Sequence, residues 1–229
     1  MILTILVTAL SWVALASPDG SKLEASRFSM SEAQSSAAAM TIRAALELTE
    51  WTTALRRELH TCPELLYDLD KTSDLVRRTL EELRIPFDSH IAQTGIVATI
   101  GTGRSPCVAL RADMDALPIP EEVDSAFKSR HPGQMHACGH DAHTAMLLTA
   151  ARILKERESE LSGTIKILFQ PAEEGGAGGL AMVKAGVLDA LPKIERVFAL
   201  HVWPGLPAGT VATRPGTIMA AAASITREW

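Results

Sequence analysis

Apolar residues recur at helical spacing in two segments of the N-terminal half of the chain. Residues spaced three or four apart predict a helix over residues 42–60, which Pro63 ends. The same spacing predicts a second helix over residues 72–83, with Thr72 or Ser73 as its N-cap. Further helices are predicted over residues 142–156 and 178–185.

Between and after these helices lie short, almost continuous apolar runs. Such runs are typical of strands buried on both faces of a sheet. Helices that alternate with strands of this kind predict an α/β domain of three layers with a largely parallel central sheet. The predicted strands cover residues 95–101, 107–113, 164–169 and 196–201.

The chemistry-bearing residues cluster where these strands end. Asp113, Gln170 and His201 each stand at the end of a predicted strand, and Cys138 stands just before a helix. Ligands of open α/β sheets gather at the carboxyl ends of the strands. The pattern therefore predicts one site built from distant parts of the sequence.

Composition excludes some partners. The net charge is −5, no basic run occurs and aromatic residues make up only 4% of the 229 residues. A nucleic-acid surface needs a basic patch, and one that binds single strands adds aromatic side chains. We therefore expect no nucleic-acid partner.

The N-terminus departs from the average composition. Residues 1–16 are apolar and uncharged and end in Ala-Leu-Ala, which predicts a signal peptide and delivery to the secretory pathway, with an organelle as the alternative. We expect no membrane attachment after its cleavage, and residues 17–40 are interpreted as a Ser/Ala-rich linker.

The three cysteines do not form the framework of a disulfide-rich protein. One disulfide between Cys62 and Cys107 is an alternative, but we expect both to be buried free thiols.

Residues 135–143 read MHACGHDAH and hold a thiol and three imidazoles. A loop can direct Cys138 and His140 at one ion, and these ligand types suit zinc, or manganese and cobalt if carboxylates join them. The alternative is a buried cysteine beside a helix-capping histidine. Asp141 is expected as the N-cap of the following helix, and His143 as a supporting residue near its first turn.

Residues 170–176 read QPAEEGG and place Glu173 and Glu174 in a glycine-rich turn. Adjacent acids are often only a solvated loop. In a turn that directly follows a buried strand, however, one can bind metal while the other takes a proton from water. Asp113 and Asp115 form a second pair that can face the same cavity, whereas His201 alone would be an ordinary core histidine.

Together these segments resemble the dinuclear metallopeptidases that include aminoacylases, hippurate hydrolases and plant auxin–amino-acid conjugate hydrolases. The resemblance covers residues 42–222 and is most specific in HACGHDAH and QPAEE. It also rests on RRELH and PEL in residues 56–65, on GIV at 95–97, on ALRADMDALP at 109–118 and on LHV at 200–202.

The resemblance implies a zinc-peptidase catalytic domain that hydrolyses the amide bond of N-acyl or conjugated amino acids. It implies two divalent ions, Mn²⁺ or Zn²⁺, and a small-molecule substrate. Glu173 would be the general base, and Asp115 would orient a group of the site. The implied metal ligands are Cys138, His140, Glu174 and His201.

Members of this family are much longer than this chain. The resemblance therefore leads us to expect that residues 41–223 are the N-terminal part of a catalytic domain and that residues 224–229 are an atypical end. A lid domain that also serves dimerisation, and a last histidine ligand, would lie beyond it.

Three alternatives follow from the same residues. The first is a truncated, non-catalytic metal-binding or regulatory product of the family. The second is a cysteine nucleophile at Cys138, which would leave the Glu173–Glu174 pair without a role. The third is a zinc nucleoside deaminase, which would need a Cys-x-x-Cys motif that the sequence lacks.

Overall fold

The computed structural model describes residues 13–16, 23–25 and 32–218. Within them the chain forms two compact units, of which the first is Met40–Val202 and the second comprises the remaining described residues. The second unit contains strands β1 (Val13–Ala16), β2 (Leu23–Ala25) and β8 (Val211–Thr213), with β1 antiparallel to β2 and parallel to β8. Most of the predicted signal peptide, residues 1–12, lies outside the described residues.

The first unit is built on a five-stranded sheet in which four strands run in one direction. Strand β4 alone runs against its two neighbours, while β6, β5 and β7 are mutually parallel. The predicted α/β fold with a largely parallel sheet is therefore confirmed. The strands in spatial order are β3 (Phe87–Ile91), β4 (Gly95–Gly101), β6 (Thr164–Gln170), β5 (Cys107–Asp113) and β7 (Arg196–Ala199).

The two faces of the sheet are both apolar. Val97, Leu168 and Met182 pack together in one core cluster, so helix α5 (Gly178–Lys184) covers one face. Neighbouring positions such as Ile96 and Ile167 are also fully buried and point the other way, because side chains alternate along a strand. Both faces are covered, as the continuous apolar runs predicted.

The N-terminal helices differ from the prediction in their bounds. The helix expected over residues 42–60 is two helices, α1 (Glu32–Glu47) and α2 (Thr49–Thr61), which meet at Leu48. Helix α1 begins within the segment interpreted as a linker. The two helices share one run of apolar spacing, which is why the break is not visible in the sequence.

Helix α3 (Asp70–Glu82) begins before Thr72, so the predicted N-cap was wrong. The backbone N–H groups of Lys71 and Thr72 donate to the two carboxylate oxygens of Glu64, at 3.1 and 2.8 Å. The cap therefore comes from a residue before the helix, and the local hydroxyls were not needed for it.

Helix α4 (His140–Glu156) begins at His140 with Gly139 at the N-cap, so the prediction that Asp141 is the N-cap was also wrong. Gly139 has φ +90°, a left-handed conformation that glycine adopts without strain. This turn places His140 in the first turn of a helix that packs against α2 and β5. Among the described residues no helix is both long and apolar enough to cross a bilayer.

The three cysteines are free. Cys107 is fully buried, as predicted, whereas Cys62 is only half-buried. The expectation of a buried thiol was therefore wrong for Cys62, which lies just past the end of α2 rather than in the core.

Candidate metal centre

The predicted site residues meet at the carboxyl edge of the parallel strands. Strand β5 ends in Asp113, the carboxylate pair follows β6, and His201 follows β7. Because these three strands are parallel, their carboxyl ends lie along one edge of the sheet. The turn into α4 reaches the same edge and adds Cys138 and His140.

His140 is the centre of this group. Its side chain is fully buried, and Nε2 lies 3.7 Å from Glu174 Oε1 and 3.8 Å from Glu173 Oε2. On the other side of the ring, Nδ1 lies 3.5 Å from Asp115 Oδ1. A ligating histidine commonly directs its second nitrogen at a carboxylate in this way, which fixes the ring and raises its basicity.

Cys138 and His201 face each other beside this ring, although 63 residues separate them, with Sγ and Nε2 3.4 Å apart. The Nδ1 atom of His201 donates to the Val202 carbonyl at 2.7 Å, which leaves the lone pair of Nε2 directed at the thiol. The ligand atoms of Cys138, His140 and His201 lie within 4.8 Å of one another, and so do those of His140, Glu173 and Glu174.

Buried polar atoms without partners show that these residues fit a cation. Both ring nitrogens of His140 and Oε1 of Glu174 are buried and accept or donate no hydrogen bond within the described residues. Buried polar groups are normally satisfied, so each such atom needs an explanation. A divalent ion between Nε2 of His140 and Oε1 of Glu174 would satisfy these two atoms, while Nδ1 of His140 faces Asp115 Oδ1 at 3.5 Å.

The local field also favours a cation. Burial, together with the nearby Glu174 carboxylate, raises the pKa of the Cys138 thiol to about 12. Burial lowers the pKa of His140, but Asp115 and Asp113 outweigh it and raise that pKa. A concentration of negative charge around a thiol and an imidazole is what a divalent ion neutralises, and a coordinating thiol is then deprotonated.

Asp115 holds the turn that carries the two glutamates. One carboxylate oxygen accepts the N–H of Glu173 at 2.9 Å and the other accepts the N–H of Glu174 at 3.0 Å. The Asp115 side chain is fully buried. It therefore sets the backbone of both glutamates and also faces the His140 ring.

The sequence left the role of Asp113 open, and in the structure both of its carboxylate oxygens accept hydrogen bonds. Its Oδ1 accepts from His143 Nδ1 at 2.6 Å, and its Oδ2 accepts from Arg111 Nη1 at 2.7 Å. Burial would raise the pKa of Asp113, but His143 and Arg111 outweigh it and hold that pKa well below the usual range.

His143 in turn supports the segment that carries His201. Its Nε2 accepts the backbone N–H of Val202 at 3.0 Å, so both of its ring nitrogens are engaged in hydrogen bonds. Although Asp113, His140 and His143 also lie close enough to hold an ion, Asp113 and His143 are already committed to these bonds.

A buried α/β sheet with thiol, imidazole and carboxylate groups gathered at its carboxyl edge defines a catalytic domain of the metallopeptidase type. The sequence profile described as peptidase family M20/M25/M40 matches residues 109–228, more than half of the chain. The chain belongs to this family. Its fold matches that of the family's catalytic domain.

Two kinds of relative illustrate the similarity. The IAA-amino acid hydrolase ILR1-like 5 of Arabidopsis thaliana is 50% identical over 171 residues, which cover 75% of this chain and 39% of that protein. The N-acetyl-L-cysteine deacetylase of Bacillus subtilis is 45% identical over 168 residues, 73% of this chain and 40% of that protein. The chain thus spans about two fifths of the length of these relatives.

A solved structure supports the same assignment. The YXEP protein of Bacillus subtilis, described as a dinuclear metal-binding peptidase of the M20 family, superposes with a TM-score of 0.65 at 42% identity. The superposition covers 69% of this chain and 44% of that one. The similarity to a dinuclear metal-binding protein agrees with the two groups of ligand atoms that meet at His140.

Proposed function

We propose that this chain forms the metal-binding part of an amidohydrolase that cleaves the amide bond of N-acyl or conjugated amino acids. The observation that carries the proposal is the buried, unpartnered His140 ring between a thiol–imidazole pair and a carboxylate pair. The names of the relatives, an IAA-amino acid hydrolase and an N-acetylcysteine deacetylase, support the reaction class.

The proposed ligands are Cys138, His140, Glu174 and His201. A divalent ion held there would polarise the scissile carbonyl and favour ionisation of the attacking water. Two ions, Mn²⁺ or Zn²⁺, are proposed because the two groups of ligand atoms share His140 and a similar solved protein is described as dinuclear.

The two glutamates differ in a way that supports separate roles. The Glu174 side chain is 20% exposed and directs an unpartnered oxygen inward, whereas the Glu173 side chain is 42% exposed. Glu173 is therefore open to a bound substrate while its backbone is held by Asp115. Its carboxylate would take a proton from water as the carbonyl is attacked and then deliver it to the leaving amine.

The test is hydrolysis by the metal-free chain and by the chain supplied with Mn²⁺ or Zn²⁺. Acetyl, benzoyl and indole-3-acetyl amino acids would be compared, with release of the free amino acid as the readout. We expect hydrolysis that requires the ion. Stoichiometric binding without any hydrolysis would contradict catalysis by this chain and favour the alternative of a non-catalytic metal-binding product.

We also propose that the protein enters the secretory pathway, on the strength of the apolar residues 1–16 and the Ala-Leu-Ala that ends them. Expression with a C-terminal fluorescent tag would test this location. Sequencing of the mature N-terminus should show cleavage after Ala16, and an uncleaved cytosolic protein would contradict it.

A further inference from the structure

His60, close to the end of α2, lies between two buried carboxylates. Its Nδ1 is 2.6 Å from Asp141 Oδ2 and its Nε2 is 3.1 Å from Glu121 Oε1, and all three side chains are at most 4% exposed. An ionised carboxylate can only accept a hydrogen bond, so this arrangement favours a hydrogen on both ring nitrogens, the imidazolium form.

Arg56 completes the group. Its Nε is 2.8 Å from the same Asp141 oxygen, so two cations face two carboxylates. The Arg56 Nη2 atom also lies 3.0 Å from His60 Nδ1. In the imidazolium form both Arg56 Nη2 and His60 Nδ1 are donors and do not bond to each other. They lie close together because Arg56 and His60 share the Asp141 carboxylate as acceptor. The rings of Phe127 and His136 pack beside His60.

The contacts of His60 with Asp141 and Glu121 form a bridge between two segments of the metal centre, the first turn of α4 and the loop that precedes Cys138. Asp141 directly follows His140, and its second oxygen accepts the N–H of Ala142 at 2.9 Å within the first turn of α4. Glu121 accepts the N–H of Ser129 at 2.7 Å and so fastens the loop that runs from β5 towards Cys138. Apart from the approach of Asp115 to Nδ1, no hydrogen-bonding group of the described residues holds the His140 ring, so its position also depends on this backbone.

We infer that His60 is a positioning residue for the metal centre, a buried bridge that holds Asp141, the residue after His140, and Glu121 in the loop that leads to Cys138. The inference rests on the proposed metal site. Replacing His60 leaves Arg56 as the only cation of this group beside two buried carboxylates. The uncompensated buried charge destabilises the segments that carry them. Loss of a partner behind metal ligands typically weakens metal affinity about 10–100-fold.

The test is a titration of the whole chain with Co²⁺, without substrate. The readouts are the dissociation constant and the visible absorption of the bound ion, which reports its ligand geometry. The variants are His60→Gln, Glu121→Gln and, as the matched control, His90→Gln, which changes an exposed histidine on β3. We expect His60→Gln to weaken binding about 10–100-fold and to alter the absorption at saturating Co²⁺, with the control unchanged.

A His60→Gln protein with a lower melting temperature but unchanged affinity and absorption would overturn the inference, because the bridge would then be purely structural. If that variant does not fold, Glu121→Gln takes its place: a loss of affinity of about tenfold or more supports the bridge, and a smaller loss overturns it. Absence of Co²⁺ binding by the wild type would instead overturn the proposed metal site and this inference together.

Discussion

The Nε2 atom of His143 accepts a hydrogen bond from the backbone N–H of Val202 at 3.0 Å. This bond ties the segment after β7 to the first turn of α4. Since His201 directly precedes Val202, the bond sets how closely the His201 ring approaches Cys138. A histidine in the motif HACGHDAH thus positions one proposed ligand without being one itself.

Val202 also packs closely against the turn at Gly139. A Cβ at Gly139 would collide with Cγ2 of Val202, and the φ of +90° is itself unfavourable for alanine. We expect Gly139→Ala to lower the free energy of unfolding by about 1 kcal/mol or more and to weaken metal affinity by displacing Val202 and His201. Denaturant unfolding and a Co²⁺ titration measure the two effects.

Gly133→Ala is the matched control for that change. Gly133 has φ +78°, and a Cβ at this position would meet no atom within 4 Å, so the substitution adds backbone strain alone. The control should lose stability and keep its affinity for the ion. Equal affinities in the two variants would show that the contact with Val202 does not position His201.

Asp115→Asn should loosen the turn that carries the two glutamates. An asparagine offers one acceptor oxygen, so one of the N–H groups of Glu173 and Glu174 would lose its partner and face an NH₂ donor. We expect metal affinity or turnover to fall about 10–100-fold. The exposed Asp74→Asn on α3 is the control, and a comparable loss in both variants would contradict the role given to Asp115.

The sequence predicted most helices and strands and the residues of the candidate site. It did not predict the hydrogen bonds that hold those residues in place. Strands β4 and β5 have the predicted bounds because continuous apolar runs between turn residues are unambiguous. Strand β3 was not predicted, since its five residues alternate only weakly in polarity. The thiol, imidazole and carboxylate residues were recognised because HACGHDAH and QPAEE together resemble a known family, whereas their types and spacing alone left other interpretations open.

The supporting contacts could not be read from the sequence, because they join residues far apart in the chain. Glu64 caps α3 from outside the helix, and His60 meets Asp141 across 81 residues. No local pattern distinguishes such pairs from solvated charges. The roles of the site residues stay predictions until they are tested.

Tyr67 holds the far side of the glutamate turn, where its hydroxyl donates to the carbonyl of Gly176 at 2.6 Å. Tyr67→Phe removes only this bond. We expect a loss of about 0.5–1.5 kcal/mol in the free energy of unfolding and a lower kcat with metal content unchanged. Unfolding curves measure the stability and steady-state kinetics measure kcat. A higher KM with unchanged kcat would contradict the role given to the Tyr67 hydroxyl and show that Asp115 is sufficient to hold the turn.

The charge on His60 predicts how stability depends on pH. The hydrogen bond to Asp141 raises the pKa of His60 above 6.5, although burial opposes the shift. A raised pKa in the folded state contributes stability that is complete below the unfolded pKa and is lost as the pH rises through the folded pKa. We expect the wild type to lose stability above about pH 6.5, and His60→Gln to lose less over the same range.

That comparison is made by urea unfolding at several pH values between neutral and alkaline. The pKa values of Asp141 and Glu121 are lowered in the folded protein, so their contribution to stability is lost at acidic pH, as the pH falls. It therefore does not interfere with a comparison made above neutral pH. Parallel stability curves for the wild type and His60→Gln above neutral pH would contradict a charged His60.

The two adjacent glutamates are proposed to have different roles, one as proton acceptor and one as metal ligand. Metal content measured beside amide hydrolysis in Glu173→Gln and Glu174→Gln distinguishes these roles. We predict that Glu173→Gln keeps its metal while turnover falls about 10²–10⁴-fold, because only the proton acceptor is removed. Glu174→Gln should lose metal and activity together. Loss of metal in Glu173→Gln, or full activity in either variant, would contradict this account of the site.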